Sequence, residues 1–340
     1  MKILLTHTPE ARALYYGDRA LAALRDVGQV VTNPDDTPLD TPTLIEAARG
    51  CDLIVADRQT AVPAAVFEAL PDLLAVMRCA MDVSTIDVAA ADRAGVLVTR
   101  ATAGFADSVA ELAIGFMIDL GRGVTNAALA YRTRRPHPIR RGIQLSGSTL
   151  GIVGYGAIGE RLGALAHAHG MRVLACDPAR TIEAAGIEQV DQATLLATAQ
   201  FTVCLAPAIP ATRHMFDRQA FATMPRGSFF INLSRSSLVD EDALGETLEA
   251  GHLAGAALDV GSAPDQRPPP HLAERGDVIA TPHIGGLTSQ AVEHQAFDTV
   301  RQAAAITAGT MPPNPVNPDS ATRLRASWAS AEPPFRKRPL

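Results

Sequence analysis

The run Leu150-Gly151-Ile152-Val153-Gly154-Tyr155-Gly156-Ala157-Ile158-Gly159 sets three glycines at G-x-G-x-x-G spacing behind an apolar stretch and ahead of the helix-like segment Glu160–His169. Each glycine has its own task in such a run. Gly154 permits a tight turn, Gly156 lets the backbone approach a pyrophosphate, and Gly159 lets the helix pack on the strand. The helix N-terminus then offers N–H groups and a partial positive charge to the phosphates, with Tyr155, Ala157 and Ile158 lining the same turn. Asp177 ends the next apolar run, where a carboxylate accepts hydrogen bonds from the ribose hydroxyls and repels a 2′-phosphate. The expectation is therefore NAD, with NADP disfavoured, although Arg180 just beyond the acid weighs the other way. A glycine turn with a strand-end acid also occurs without any ligand. The agreement of strand, glycines, helix and acid is what carries the nucleotide reading.

Further along, Phe230-Ile231-Asn232-Leu233-Ser234-Arg235-Ser236-Ser237-Leu238-Val239-Asp240 puts an arginine after an apolar run, and Ala280-Thr281-Pro282-His283-Ile284-Gly285-Gly286 puts a histidine after a proline. Alone, the first reads as a solvated surface charge and the second as a loop residue. With Gly255-Ala256-Ala257-Leu258-Asp259-Val260 between them and Val109-Ala110-Glu111 upstream, the set resembles the signatures of the D-isomer-specific 2-hydroxyacid dehydrogenases, over roughly Ile3 to Asn317. The resemblance implies hydride transfer between NAD(H) and a small 2-hydroxy or 2-oxo acid, with substrate in a cleft between two domains.

The chemistry accounts for the residue types. Oxidising a secondary alcohol needs a base for the hydroxyl proton, and histidine titrates near neutrality, which assigns His283. A carboxylate and a developing oxyanion need a fixed cation with a forked donor set, which assigns Arg235. By position, the resemblance adds Ser108, Pro207, Thr212, Leu233, Asp259 and Gly285 as cofactor contacts.

The sequence departs from the family in three places. A Glu normally precedes a Pro shortly after the Asp-Val pair, where it pairs with the His and favours its protonated form. This chain has Ala263-Pro264-Asp265 there. Either Asp265 takes the role from a shifted loop, or His283 works unassisted, or activity is weak and the chain does something else. The substrate loop Arg78-Cys79-Ala80-Met81-Asp82-Val83-Ser84-Thr85-Ile86-Asp87 lacks the usual glycine. That suggests Arg78, Ala80 and Met81 as substrate contacts, with Arg78 projecting toward an additional anionic group. Ser236 stands where Gly commonly follows the arginine.

These residues need a particular scaffold. Apolar runs at Ile3–Thr6, Leu53–Ala56, Leu73–Met77 and Val96–Thr99 alternate with helix-like segments. Six more runs, from Leu150–Val153 to Val278–Ala280, follow a long buried helical pattern from Asp107 to about Arg122. Strands alternating with helices predict parallel sheets covered on both faces. The reading is α/β: two Rossmann-like doubly wound domains, with the cofactor domain (107–287) inserted into a flavodoxin-like substrate domain (1–106 plus 288–318). Residues 131–143, rich in Arg, His and Pro, read as an exposed connection, and 319–340 as a flexible tail.

Composition excludes other classes. With a net charge of −6 and no long basic block, nucleic-acid binding is not expected. No apolar stretch is long enough to span a bilayer, and the N-terminus reads as a first strand rather than a signal peptide. The four cysteines form no C-x-x-C pair, so neither a metal site nor disulfides are expected, and a cytoplasmic protein is. The resemblance further implies a homodimer. Two alternatives stay open: oxidation of an unusual donor such as formate or phosphite on the same fold, and a non-catalytic NADH-binding regulator resembling the C-terminal-binding corepressors.

Overall fold

The computed structural model describes residues 1–136, 139 and 141–330. The described chain forms two compact units, one of Met1–Gly104 with residues 289–330, the other of Phe105–Thr288.

The first unit is built on β1 (Lys2–Leu5), β2 (Gln29–Thr32), β3 (Leu53–Ala56), β4 (Ala75–Arg78) and β5 (Leu97–Arg100). All pairings are parallel and the order is β2-β1-β3-β4-β5, the flavodoxin-like arrangement. Successive side chains of a strand point to opposite faces, and here both faces are buried. Thus Ile3, Leu5, Leu53, Val55, Met77 and Leu97 join one core, under the helices Asp18–Val27 and Ser289–Thr307. Leu4, Ile54, Val76 and Val98 join the other, with Leu44, Val66 and Phe67. This double burial is why the strands read as unbroken apolar runs. β2 escaped the sequence reading because it is an edge strand with two valines between polar residues and no fully buried position.

The expectation of a flexible tail from 319 fails for the described part. Pro318–Ser320 forms a 3-10 turn and Thr322–Ser330 a helix. Ala321 and Leu324 are fully buried in the core with Leu97 and Ile306, and the Trp328 indole N–H donates to the Ile306 carbonyl at 3.1 Å. Leu324 and Trp328, four residues apart, are its two large apolar residues, and Arg323 Nη1 donates to the Leu70 carbonyl at 2.8 Å, so the composition hid a docked helix. Residues 331–340 lie outside the described residues.

The second unit contains β6 (Thr149–Val153), β7 (Arg172–Cys176), β8 (Ile187–Gln189), β9 (Phe201–Cys204), β10 (Phe229–Asn232), β11 (Gly255–Leu258) and β12 (Val278–Ala280). They pair in parallel in the order β12-β11-β10-β9-β6-β7-β8. The sequence offered six strands; the seventh, β8, is a three-residue edge strand without a buried side chain. Helix Ala106–Arg122 packs Val109, Ala113, Phe116 and Met117 on one face of the sheet, where Phe201 and Phe229 stack at 5.0 Å. Phe216, Phe221 and Phe230 cluster on the other face. Chain direction across the sheet reverses between β6 and β9, and open parallel sheets bind ligands outside the carboxyl ends of their strands at such a point. Described residues 131–142 are exposed; His137, Pro138 and Arg140 of the expected connection lie outside the described residues. Among the described residues no helix is long and apolar enough to cross a membrane, and the four cysteines are free.

Candidate active site

The glycine loop lies at the reversal point. Gly154 leaves β6 with φ +95°, and a Cβ there would stand 2.5 Å from the Ala206 nitrogen in the chain leaving β9. An L side chain would meet both a forbidden backbone region and the neighbouring backbone. A Cβ on Gly159 would stand 2.6 Å from the Gly154 carbonyl oxygen, so this glycine sets the approach of helix Ala157–Ala168 to the strand. Gly156 differs: no atom lies within 4 Å of its missing Cβ, and it begins the helix without a side-chain cap. An open backbone surface at an uncapped helix N-terminus fits a pyrophosphate.

Asp177 follows β7 and holds this loop. Its Oδ2 accepts the Tyr155 N–H at 2.9 Å and its Oδ1 the Ala179 N–H at 2.9 Å. After β9, the Thr212 hydroxyl donates to the Pro207 carbonyl at 2.6 Å, closing a short turn beside the glycine loop.

Arg235 follows β10 in extended backbone and is exposed, with Nη1 donating to the Ser234 carbonyl at 2.8 Å. Its mount is Asn232, a residue the sequence reading passed over. Asn232 is 1% exposed; its Oδ1 accepts the Ser234 N–H at 3.0 Å and its Nδ2 donates to the Arg235 carbonyl at 3.1 Å. An Asn that bonds backbone groups two and three residues ahead is the available sequence signal for such a turn. Ser236 adopts no positive φ, so the absence of glycine there costs nothing.

His283 sits after β12 at φ +58°, a left-handed position uncommon outside glycine. The loop that imposes it closes on Asp259, which is 3% exposed at the end of β11. Asp259 Oδ1 accepts the Thr281 hydroxyl at 2.6 Å and the Ile284 N–H at 2.8 Å, while Oδ2 accepts the Gly285 N–H at 2.7 Å. A Cβ on Gly285 would press on that carboxylate at 2.8 Å, which explains the glycine. Ser108, in the first turn of helix Ala106–Arg122, shares a 2.7 Å hydrogen bond with Thr288.

The sequence model for the D-isomer specific 2-hydroxyacid dehydrogenase NAD binding domain fits residues 114–285. D-3-phosphoglycerate dehydrogenase of Methanocaldococcus jannaschii is 33% identical over 305 residues, 88% of this chain. This chain spans only 57% of that protein's length. Hydroxypyruvate reductase of Thermotoga maritima is 32% identical over 267 residues, covering 78% of this chain and 87% of that one. The crystal structure of a Polaromonas protein assigned to the same dehydrogenases superposes with a TM-score of 0.85 at 26% identity, covering 93% of this chain and 99% of that one. The chain belongs to the D-isomer-specific 2-hydroxyacid dehydrogenase family. Its second unit is the family's nicotinamide-nucleotide-binding domain.

Two departures from the family gain a physical description. Asp265 occupies a left-handed turn position (φ +60°), is exposed, and has Arg267 Nη2 at 3.9 Å. The turn is closed by Gly261 N–H to the Gln266 carbonyl at 2.9 Å and Ala263 N–H to the Arg267 carbonyl at 3.0 Å.

In the first unit, Arg78 does not project as the sequence suggested. It is 2% exposed, and its guanidinium donates to the carbonyls of Asp82 (Nε, 2.9 Å), Arg58 (Nη2, 3.0 Å) and Asp57. It staples the loop after β3 to the loop after β4, because a buried guanidinium must find acceptors and these two loop ends supply them. Ala80 is buried as well, while Met81 is exposed. No residue from 79 to 87 takes a positive φ, so this form of the loop needs no glycine.

His7, at the end of β1, is a further buried group. It is 1% exposed, packs edge-on against Tyr16 at 5.2 Å, and its Nδ1 has no hydrogen-bond partner. Burial pushes its pKa down to about 4 from 6.5, against the attraction of Asp57. The folded pKa is thus below the unfolded one. The contribution of neutral His7 is complete above pH 6.5 and is lost as pH falls toward 4, because only the unfolded chain takes the proton there. Urea unfolding at pH 7 and at pH 4.5 measures the loss, on the order of 2–3 kcal/mol for a shift of this size. A His7→Phe variant should show a distinctly shallower decline.

Proposed function

We propose that this chain is an NAD-dependent oxidoreductase that transfers a hydride between the cofactor and a small 2-hydroxy or 2-oxo acid. The observation that carries the reading is convergence at one sheet edge. The nucleotide loop follows β6, Arg235 follows β10, Asp259 follows β11 and His283 follows β12, all at carboxyl ends of strands in a single sheet.

Each residue then has a task. Arg235 binds the substrate carboxylate and polarises the carbonyl oxygen through its forked donors. His283 takes the hydroxyl proton in oxidation and returns it to the oxygen in reduction. Asp259, Thr281 and Gly285 hold the His283 loop, and Asp259 with Ser108 and Leu233 sits on the nicotinamide side. Pro207 and Thr212 flank the adenosine, and Tyr155, Ala157 and Ile158 line the phosphate turn with the three glycines. Bound NAD supplies the hydride acceptor, or as NADH the donor. Asp177 favours NAD over NADP. Asp265, the acid nearest in sequence to the expected Glu position, is exposed beside Arg267. Met81 and Ala80 remain the proposed substrate contacts of the first unit; Arg78 shapes their loop from beneath.

The protein acts in the cytoplasm as a homodimer in this proposal. Exposed Ile118, Val124, Leu129 and Tyr131, on and after the long helix, support a subunit contact there.

The test mixes purified protein with NADH or NADPH and glyoxylate, hydroxypyruvate, pyruvate or phenylpyruvate, following loss of nicotinamide absorbance. Turnover with NADH in preference to NADPH is expected. Tight NADH binding with no turnover on any acid would replace this reading with the unusual-donor or regulator alternatives.

A further inference from the structure

Arg180 is the one feature of the nucleotide loop that argues for a 2′-phosphate, and the structure gives it another occupation. Its Nη1 donates to the Tyr155 carbonyl at 2.7 Å and to Glu160 Oε1 at 2.6 Å. Tyr155 is therefore clipped on both sides of the residue, by Asp177 at its N–H and by Arg180 at its C=O. Gln189 Nε2 donates to the carbonyls of Arg180 at 2.8 Å and Asp177 at 3.3 Å, which fixes the segment that carries both charges.

We propose that Glu160 is a cofactor-specificity residue: it captures Arg180 and adds a second carboxylate beside Asp177, so that the loop rejects a 2′-phosphate twice. This rests on the reading that the loop binds an adenine dinucleotide. Two carboxylates and one guanidinium leave a net negative charge where a 2′-phosphate would have to enter. The Arg180–Glu160 pair is about half exposed on both sides (48% and 54%) and so adds little to folding. Its consequence is the placement of charge. Glu160 lies in the first turn of helix Ala157–Ala168, from which its side chain reaches Arg180. Removing Asp177 alone leaves Arg180 tied to Glu160, whereas removing both carboxylates leaves the guanidinium on the Tyr155 carbonyl with its charge no longer matched by a carboxylate, a forked cation that suits a phosphate.

Calorimetric titration of the 340-residue chain with 5′-ADP and with 2′,5′-ADP tests this, using wild type, Asp177→Ser, Asp177→Ser/Glu160→Gln, and the latter with Arg180→Ala. The double variant should bind 2′,5′-ADP about fivefold more tightly than Asp177→Ser, the size expected for releasing one partly exposed charge. Its 5′-ADP affinity should move less than about twofold, which also reports that the loop is intact. Arg180→Ala should erase the gain. No gain from Glu160→Gln, or a gain that survives Arg180→Ala, overturns the proposal. Failure of wild type to bind 5′-ADP overturns the nucleotide-site reading itself, and this inference with it.

Discussion

His283→Asn lowers kcat/KM for oxo-acid reduction by about a thousandfold and leaves NADH affinity within about threefold. Asparagine is the chosen replacement because His283 holds a left-handed backbone position (φ +58°) that Asn tolerates better than Ala. The loop geometry therefore survives and the measurement reports the lost proton carrier. The size follows from general acid–base catalysis by one positioned group. Stopped-flow turnover with the best oxo acid gives the rate, and quenching of protein fluorescence by NADH gives the affinity. Asp259→Asn provides the graded companion. It keeps the shape but turns one acceptor oxygen of a buried carboxylate into a donor facing the Gly285 N–H, the Ile284 N–H or the Thr281 hydroxyl. The His283 loop loosens, and kcat falls by roughly ten- to a hundredfold, less than for His283 itself. Equal losses for the two variants would mean that Asp259 acts on the reacting groups directly.

Much of this scaffold is legible in the chain because parallel strands buried on both faces leave unbroken apolar runs. Ile3–Leu5, Leu53–Ala56 and Phe229–Ile231 are such runs, and each lies within a residue or two of its strand's bounds. The two missed strands, Gln29–Thr32 and Ile187–Gln189, are edges, where one flank and much of each side chain face solvent and the apolar signal thins. Two of the glycines were readable because each answers a steric demand, Gly154 at a left-handed turn against the Ala206 backbone and Gly159 at the close approach of helix to strand, whereas nothing in the chain itself crowds Gly156. What a side chain touches was less legible. Arg78 has the type and position of a substrate clamp, yet it is spent on three carbonyls, since nothing in the sequence tells which loop ends will converge on it. Asn232 was hidden for the opposite reason: its partners are local, and local side-chain-to-backbone bonds leave no periodicity to read.

Arg235→Lys keeps the charge and loses the fork, and kcat/KM for oxo-acid reduction falls by about a hundredfold or more. A lysine ammonium can neutralise the substrate carboxylate but cannot also hold the carbonyl oxygen in a fixed plane. Loss of that second contact weakens the transition state more than the ground state, because charge builds on the carbonyl oxygen only as hydride arrives. The larger part of the change should therefore fall on kcat, with KM rising only several-fold. Asn232→Ala separates position from chemistry. It leaves the guanidinium intact and removes the two bonds that fix Ser234 and the Arg235 carbonyl. A backbone mount that lets the fork wander raises KM and lowers kcat together, by about ten- to thirtyfold in kcat/KM, the scale of a small misplacement of a positioned group. If Arg235→Lys changed KM alone, Arg235 would be a binding cation whose contact is equal in ground and transition states, and polarisation of the carbonyl would have to be assigned to another donor of this sheet edge.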